Sequence, residues 1–190
     1  KNKTVIKQTL LIICHPRQGS LSHQFAETVK NKLKDNFKTI DIRTLNFDPI
    51  LHNGYSKRQE LEPDLIEAQQ KIKWAEKIII FYPIWWFSSP ALMKGFFNRI
   101  FLPGFAFKSN KNNKREKLLK DKTANLIITS GRPTWFYKLT PACFVIKLFS
   151  VGTLWFCGIK TKKVLLFGKA NSATPETITK FKNKLKKFYA

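Results

Sequence analysis

Residues 81–107 read FYPIWWFSSPALMKGFFNRIFLPGFAF, and the order of structural signals in this stretch decides the fold. The stretch begins at the end of Ile78–Phe81, an apolar run whose shortness and β-branched residues predict a buried strand. Proline has no N–H for a sheet ladder, so Tyr82-Pro83 is expected to end that strand. Ser89-Pro90 then predicts the start of a helix, with serine as the N-cap and proline as the first helical residue. A buried strand followed directly by a helix is the repeating unit of an α/β domain.

Three aromatic residues, Trp85, Trp86 and Phe87, occupy the loop between this strand and this helix. Turns ordinarily favour small polar residues, so the composition of this loop needs a reason. One interpretation is that the rings cap the core. The other is that they form a floor for a flat, conjugated ligand, because open α/β sheets bind ligands beyond the carboxyl ends of their strands.

The rest of the chain repeats this alternation of apolar runs and amphipathic segments. Five segments are predicted as strands: Gln8–Cys14, Lys38–Thr44, Lys77–Phe81, Thr123–Thr129 and Lys162–Gly168. Helices are predicted at Gln24–Leu33, from Pro63 to Lys73 or Trp74, and at Pro90–Phe101, Pro141–Val151 and Pro175–Phe188. Right-handed crossovers leave few topologies for such a chain. We predict an α/β fold with a flavodoxin-like, five-stranded parallel sheet of order 2-1-3-4-5, with helices on both faces, in a single domain over residues 1–190.

In this order the sheet reverses between strands 1 and 3, so the loops after those strands face each other across a crevice. The loop after strand 1, His15–Ser22, combines a cation, a glycine and hydroxyls with the free N–H groups of a helix N-terminus, which favours phosphate. It matches neither the P-loop nor the GxGxxG pattern, and the alternative is that its serines only cap the helix. A polar loop, Thr129–Tyr137, follows strand 4 to the same edge. The convergence of three loops predicts a binding site there.

Composition limits the classes of protein that the chain can represent. Its 190 residues are 43% hydrophobic, which is enough for one substantial core. Basic residues number 35 against 12 acidic ones, for a net charge of +23. The lysines are spread through segments such as Lys108–Lys122 and Lys180–Lys187 and form no DNA-binding motif. A solvated basic surface that attracts anions is therefore expected, with binding of nucleic acid or an anionic membrane as the alternative.

The cysteines and the N-terminal residues bear on the cellular compartment of the protein. Cys14, Cys143 and Cys157 are odd in number and too widely spaced to form a zinc site with the three histidines. A reducing cytoplasm and no metal are therefore expected. Lys1–Gln8 lacks the apolar core of a signal peptide. Leu139–Ile159 contains a proline, a lysine and two glycines, so we expect a helix of the domain there and not a membrane span.

Three patterns carry a resemblance to a known family. Pro83–Phe107 follows PxWWFSxPAxxKGxxxRxFxPGFAF, His15–Ser22 follows His-Pro-x-x-x-Ser-x-Ser, and Cys157–Lys160 reads CGIK. Together they resemble the NAD(P)H:quinone oxidoreductase family of flavodoxin-like flavoproteins over nearly the whole chain. The resemblance implies an NAD(P)H dehydrogenase (quinone), usually a homodimer, that transfers two electrons as hydride from NAD(P)H through a bound flavin to a quinone or similar acceptor.

The resemblance also assigns roles to individual positions. Those implied to bind the flavin are His15, Ser20, Leu21, Ser22, Pro83, Ile84, Trp85, Trp86, Phe87, Thr129, Ser130 and Gly131. Phe105 and Phe107 are implied to lie near the acceptor pocket, and Tyr137 is a candidate proton donor. FMN is expected as the flavin and FAD is the alternative, because the chain has no evident extra segment to hold an adenine.

The chain departs from the family pattern after strand 4. Better-known members read Thr-Thr-Gly-Gly there, whereas this chain reads Thr129-Ser130-Gly131-Arg132-Pro133. Ser109 stands where a pocket tyrosine is expected, and the pocket histidine has no counterpart. These departures bear on acceptor preference and on the proton donor. Two other functions stay open: a non-catalytic flavin electron carrier or regulatory flavoprotein, and a basic surface binder of nucleic acid or anionic membrane.

Overall fold

The central sheet has five parallel strands, as predicted. The computed structural model describes residues 8–33, 36–109 and 115–189. Its strands are β1 (Thr9–Ile13), β2 (Phe37–Asp41), β3 (Lys77–Ile84), β4 (Phe107–Ser109), β5 (Arg115–Lys117), β6 (Thr123–Ser130) and β7 (Lys160–Phe167). The large sheet runs β2-β1-β3-β6-β7, and β4 and β5 form a separate antiparallel pair. This is the predicted order 2-1-3-4-5, which confirms the doubly wound topology.

Helices cover both faces of the sheet. They are α1 (Leu21–Leu33), α2 (Pro63–Trp74), α3 (Ala91–Ile100), α4 (Phe136–Leu139), α5 (Cys143–Phe149) and α6 (Pro175–Phe188), with a π-helical segment at Ser150–Trp155. Alternate residues of β1 divide between two cores: Leu10 and Ile12 pack on the α2–α3 side, and Leu11 and Ile13 pack on the α1–α6 side. Because every β1 residue is buried, the strand reads as a continuous apolar run.

The prediction that Tyr82-Pro83 ends the third strand is wrong. β3 continues to Ile84, and Pro83 pairs with Thr129 of β6. The register between β1 and β3 stops at Phe81, so beyond that point β3 has a strand neighbour on one side only. Proline is tolerated where its missing N–H faces no partner strand. The extra three residues carry the chain further beyond β1 before the aromatic loop begins.

The helix predicted at Pro141–Val151 is present as α5, which begins two residues later, and the π-helical segment continues it to Trp155. The short helix α4 that precedes it is separate. Thr140 causes the break: its hydroxyl donates to the carbonyl of Phe136 at 2.6 Å and accepts from the N–H of Ala142 at 3.2 Å. One helix therefore ends and the next begins at this residue. No helix in the described part of the chain is long and apolar enough to cross a membrane.

Several helix ends follow the sequence signals closely. α2 begins at Pro63, and α6 begins at Pro175 behind Thr174, whose hydroxyl accepts from the N–H of Thr177 at 3.3 Å. α1 starts at Leu21, three residues before the predicted start, and α3 starts at Ala91. Strand β2 ends at Asp41, and a 3₁₀ turn follows where the strand was predicted to continue. Residues 1–7 and 110–114, part of the segments used above for the N-terminus and the basic excursion, lie outside the described residues.

Candidate active site

One cavity of about 820 Å³ lies at the carboxyl edge of the sheet, next to the ends of β1 and β3. Loops after four strands, β1, β3, β6 and β7, supply its lining. The lining residues are His15, Arg17, Ser20, Leu21, Pro83, Ile84, Trp85, Trp86, Phe87, Thr129, Ser130, Gly131, Arg132, Tyr137, Ala170 and Asn171. The volume falls within the range of small-molecule and cofactor sites. The three loops predicted to converge therefore do meet.

The N-terminus of α1 forms an electropositive end of this cavity. The N–H of Gln24 donates to the carbonyl of Ser20 at 3.0 Å, so the helical hydrogen bonds begin at Ser20 and the first amides point outward. The first turn of α1 has no acidic side chain, and Arg17 adds a cation to the cavity wall. Free amides, a hydroxyl and a guanidinium without a nearby carboxylate in that turn are the donor set that a phosphate requires.

Ser20 is part of a hydrogen-bonded chain that reaches β2. Its Oγ lies 2.8 Å from Nδ1 of His23, and Nε2 of His23 lies 3.1 Å from Oδ2 of Asp41. Asp41 also accepts from the N–H of Arg43 at 3.1 Å and from its guanidinium at 3.3 Å. Ser20 is 2% exposed, and the side chains of His23 and Asp41 are 13% and 18% exposed. The residue that faces the cavity is thereby connected to a largely buried histidine–carboxylate pair.

His15 stands between this anion site and the aromatic loop. Its Nδ1 accepts from the N–H of Arg17 at 3.0 Å, and its ring meets Trp85 edge-on with 5.2 Å between ring centroids. Burial, with smaller effects from His23 and Arg17, lowers the pKa of His15. The neutral ring therefore predominates near neutral pH, and its role there is packing and hydrogen bonding.

The aromatic loop is a tight turn with an unusual backbone. Trp85 and Ser88 exchange backbone hydrogen bonds of 2.9 and 2.8 Å, while Trp86 and Phe87 between them have φ of 47° and 54°. Positive φ at both central positions is the geometry of a type I′ turn, which normally carries asparagine and glycine. Trp86 is 98% exposed, so core packing does not account for it. Strain of this kind is concentrated at functional sites.

The loop after β6, next to the end of β3, adds hydroxyl groups to the cavity. Ser130 donates to the hydroxyl oxygen of Tyr137 at 2.8 Å and accepts from the N–H of Arg132 at 3.1 Å. This arrangement leaves the hydroxyl hydrogen of Tyr137 available to a group in the cavity. Arg132, which lines the cavity, has its guanidinium 5.6 Å from the ring centroid of Phe136.

Sequence reasoning missed the contribution of the loop after β7. Ala170 and Asn171 line the cavity, and the amide of Asn171 would lie 3.0 Å from a Cβ placed on Gly131. The N–H of Lys169 donates to the carbonyl of Arg132 at 3.1 Å, which ties this loop to the one after β6. The available signal was topological: a fifth parallel strand ends at the same edge as the others.

Eleven of the twelve predicted flavin-binding positions, together with Tyr137, line the cavity; Ser22 is the exception. Ser22 is 1% exposed, and its hydroxyl has no hydrogen-bond partner among the residues that the structure describes. Phe105 and Phe107 also lie elsewhere: Phe105 packs near Phe101, and Phe107 meets Phe156 edge-on at 5.4 Å. The ligand contacts of all these residues stay predictions. Within the described residues, no group of three or more His, Cys, Asp or Glu is placed to hold a metal ion.

A family model for the flavodoxin-like fold matches residues 7–188. The chain belongs to the flavodoxin-like fold family. Among curated relatives, the rat protein named ribosyldihydronicotinamide dehydrogenase [quinone] is 28% identical over 181 residues, covering 81% of this chain and 78% of its own. An uncharacterized NAD(P)H oxidoreductase of Haemophilus influenzae is 28% identical over 172 residues, covering 84% of this chain and 82% of its own.

Solved structures show the same flavodoxin-like architecture. The NAD(P)H:quinone oxidoreductase from Methanothermobacter marburgensis superimposes with a TM-score of 0.82 and 19% identity, covering 96% of this chain and 97% of that one. Its identity is low enough that the likeness supports the fold alone. The curated relatives confirm the resemblance drawn from Pro83–Phe107, and the family model and the solved structure confirm the flavodoxin-like fold.

Proposed function

We propose that this protein is an NAD(P)H-dependent flavin oxidoreductase that reduces a quinone or a similar acceptor. The observation that carries the proposal is the single cavity in which a phosphate-type donor set, an aromatic turn and a hydroxyl-bearing loop meet. The curated relatives named as quinone and NAD(P)H oxidoreductases support it. A flavin held by these residues would supply the redox chemistry, which is acceptance of a hydride from NAD(P)H and delivery of two electrons to the acceptor.

The α1 end of the cavity is proposed to hold the flavin phosphate. The amide of Leu21, the Ser20 hydroxyl and the Arg17 guanidinium are the proposed donors, since these three residues line the cavity, and they are in place before any ligand binds. Preorganised donors of this kind stabilise a phosphate without a large ordering cost. FMN, with its terminal phosphate, is the proposed cofactor, and FAD is the competing ligand in the titrations below.

The walls of the cavity are proposed to orient the ring system and the reactants. Residues of Pro83–Phe87 and of Thr129–Gly131, which end two adjacent strands, both line the cavity. Trp86 and Phe87 stand at the exposed rim, with exposed fractions of 98% and 51%, where an incoming nicotinamide or quinone ring can stack. Stacking of flat reactants in one place supplies the proximity that hydride transfer needs.

Tyr137 is the proposed proton donor to the reduced acceptor. Its hydroxyl oxygen accepts from Ser130, its own hydrogen is free, and the residue lines the cavity while being 5% exposed. Phe105 and Phe107 stay proposed acceptor-site residues by resemblance only, because neither lines the cavity of the described chain.

A homodimer is proposed from an apolar face beside the cavity. Helix α5 has no buried residue, and Phe144 and Leu148 on it are 60% and 68% exposed. Trp135, Leu139, Val151 and Trp155 in neighbouring turns are also more than half exposed. Exposed apolar residues concentrated in one segment mark an interaction surface, and a second copy of the chain is the proposed occupant.

The test is a pair of anaerobic half-reactions. The protein is loaded with FMN, NADH or NADPH is added, and loss of the flavin absorbance near its visible maximum is followed; a benzoquinone is then added. We expect rapid bleaching and then full recovery of absorbance. A bound flavin that neither nucleotide reduces would overturn the proposal in favour of a non-catalytic carrier. Tyr137→Phe is expected to keep the bleaching rate and slow recovery, by about 10²-fold for loss of a general acid.

A further inference from the structure

In the Ser20–His23–Asp41 chain, the protonation state of His23 decides which atoms donate the hydrogen bonds. Asp41 accepts from the Arg43 amide and guanidinium and is therefore held as an acceptor toward Nε2 of His23. With Nε2 carrying its hydrogen toward Asp41, a neutral His23 has only a lone pair at Nδ1. The Ser20 hydroxyl then donates across the 2.8 Å contact to His23, and only oxygen lone pairs face the cavity.

Protonation of His23 reverses this arrangement. Nδ1 then carries a hydrogen and donates to Oγ of Ser20, so the Ser20 hydroxyl hydrogen is released to donate elsewhere. The largely buried pair also gains a positive charge one hydrogen bond from the cavity wall. Both changes favour an anion at Ser20, since charge-assisted donors bind phosphate most strongly.

We propose that His23 is a positioning residue that couples uptake of one proton to binding of a phosphorylated ligand at Ser20. The inference rests on the proposed flavin site but goes beyond it, since it predicts how affinity depends on pH. By linkage, a ligand that binds better to the protonated protein must raise proton affinity by the same factor. Histidine is suited to this role because its charge ordinarily changes between pH 5 and 8.

The groups around His23 come from three segments. Asp41 and Arg43 face it from the end of β2 and the turn after it, His15 lies with its ring centroid 6.4 Å away, and Arg17 lies on the same loop as His15. Burial lowers the pKa of His15, which keeps that ring neutral while His23 changes state. Asp41 is therefore the anionic neighbour of His23, and Arg17 and Arg43 are the nearby cations. A bound phosphate would add a second negative neighbour.

The experiment measures FMN affinity by quenching of flavin fluorescence between pH 7 and 9, where the phosphate stays dianionic. We expect wild-type affinity to fall as pH rises, by up to about tenfold per pH unit for one linked proton. Riboflavin, which lacks the phosphate, is expected to show a flat profile. Calorimetry in two buffers of different ionisation enthalpy gives the number of protons taken up directly and needs no variant.

His23→Gln is expected to flatten the FMN profile, and Asp41→Asn to weaken its slope. The matched control is His52→Gln, since Nε2 of His52 pairs with Asp48 at 2.6 Å on the exposed connection away from the cavity. That variant should keep the wild-type slope. Tight FMN binding with no proton uptake, or a slope unchanged in His23→Gln, would overturn this inference alone. No FMN binding at any pH would overturn it together with the proposed function.

Discussion

At the scale of single residues, Trp86 combines an unfavourable backbone conformation with an exposed side chain. Its φ of 47° is left-handed, where an L residue pays about 1–2 kcal/mol relative to the right-handed form, and its ring recovers none of this by burial. Stability therefore does not explain a tryptophan at this position. The same holds for Phe87 next to it, although that ring lies 6.0 Å from Phe136.

Two substitutions of Trp86 separate the contribution of its ring from that of its backbone strain. Trp86→Ala removes the ring and keeps the strain, whereas Trp86→Gly removes both. We expect the glycine variant to have the higher free energy of unfolding, by about 1 kcal/mol after the extra entropy of glycine in the unfolded chain. Chemical denaturation measures it. Equal stabilities for the two variants would mean that the turn is not strained in solution.

The sequence predicts which loops form the candidate site, but it does not predict which way their side chains point. His15, Ser20 and the aromatic turn follow apolar runs and glycine, proline or serine signals, and topology brings them together. Ser22 does not follow from such signals, because its direction depends on where α1 begins, which was misplaced by three residues. Asn171 was missed because nothing local marks it; it reaches the cavity through the tie between Lys169 and Arg132.

At the scale of elements, α3 anchors the long connection that precedes α2. Arg99 is fully buried and donates to both carboxylate oxygens of Glu62, at 3.1 and 2.8 Å, and to the carbonyls of Asp48 and Glu60. One guanidinium thereby holds the connection between β2 and α2 against the core, although this connection has little regular structure. In the sequence, Arg99 stands out only as a charged residue in a largely apolar helix, because its partners are far apart in the chain.

The Arg99–Glu62 pair makes stability depend on pH. Burial raises the pKa of Glu62, but the amide of Asp48 and the Arg99 guanidinium outweigh it and leave the pKa below its ordinary value. A depressed pKa contributes stability above about pH 4.3, the usual value of an unfolded glutamate, and that contribution is lost as pH falls through the folded pKa.

Glu62→Gln tests this dependence. It is expected to lower the free energy of unfolding at pH 7 on the order of 2–3 kcal/mol, less than for a fully buried pair because Glu62 is 29% exposed. The deficit should shrink between pH 5 and 3 in denaturation experiments. Glu67→Gln, which breaks the exposed pair with Lys71, is the control and should cost little at either pH. A deficit that is constant with pH would contradict the assignment.

Gly95 on α3 gives a second test at this scale. A Cβ placed there would lie 2.5 Å from Cβ and 2.6 Å from the carbonyl oxygen of Pro49. Gly95→Ala is therefore expected to destabilise by about 1–3 kcal/mol, although alanine is the better helix former by about 1 kcal/mol. Gly152→Ala is the control, since nothing lies within 4 Å of its Cβ. Thermal unfolding compares the two; a stabilised Gly95→Ala would show that Pro49 moves aside freely.

At the scale of the whole molecule, the order β2-β1-β3-β6-β7 was predictable because the central strands are largely buried apolar runs and crossovers have one hand. Boundaries were less predictable where tertiary pairing overrides a local signal. Pro83 stays in β3 because β1 has already ended, and β2 stops at Asp41, where a 3₁₀ turn replaces the predicted end of the strand. The topology, and not the boundaries, brings the loops into one cavity.

The proposed dimer is tested by sedimentation velocity. The wild type is expected to sediment at twice the chain mass of 22.1 kDa, and the pair Phe144→Lys and Leu148→Lys is expected to give the monomer. Ile66→Lys, on a residue 46% exposed on α2, should leave the dimer intact. A wild-type monomer that sediments only with anionic vesicles would contradict the dimer and assign the apolar face to a membrane surface.

The most direct test of the central claim, that this cavity holds a flavin by its phosphate, is a fluorescence titration of the flavin-free protein with FMN and with riboflavin at pH 7. Saturation at one FMN per chain, with an affinity at least about tenfold above that of riboflavin, is expected from the charge-assisted hydrogen bonds that only the phosphate accepts. Equal affinities for the two ligands, or no quenching with either, would contradict the account.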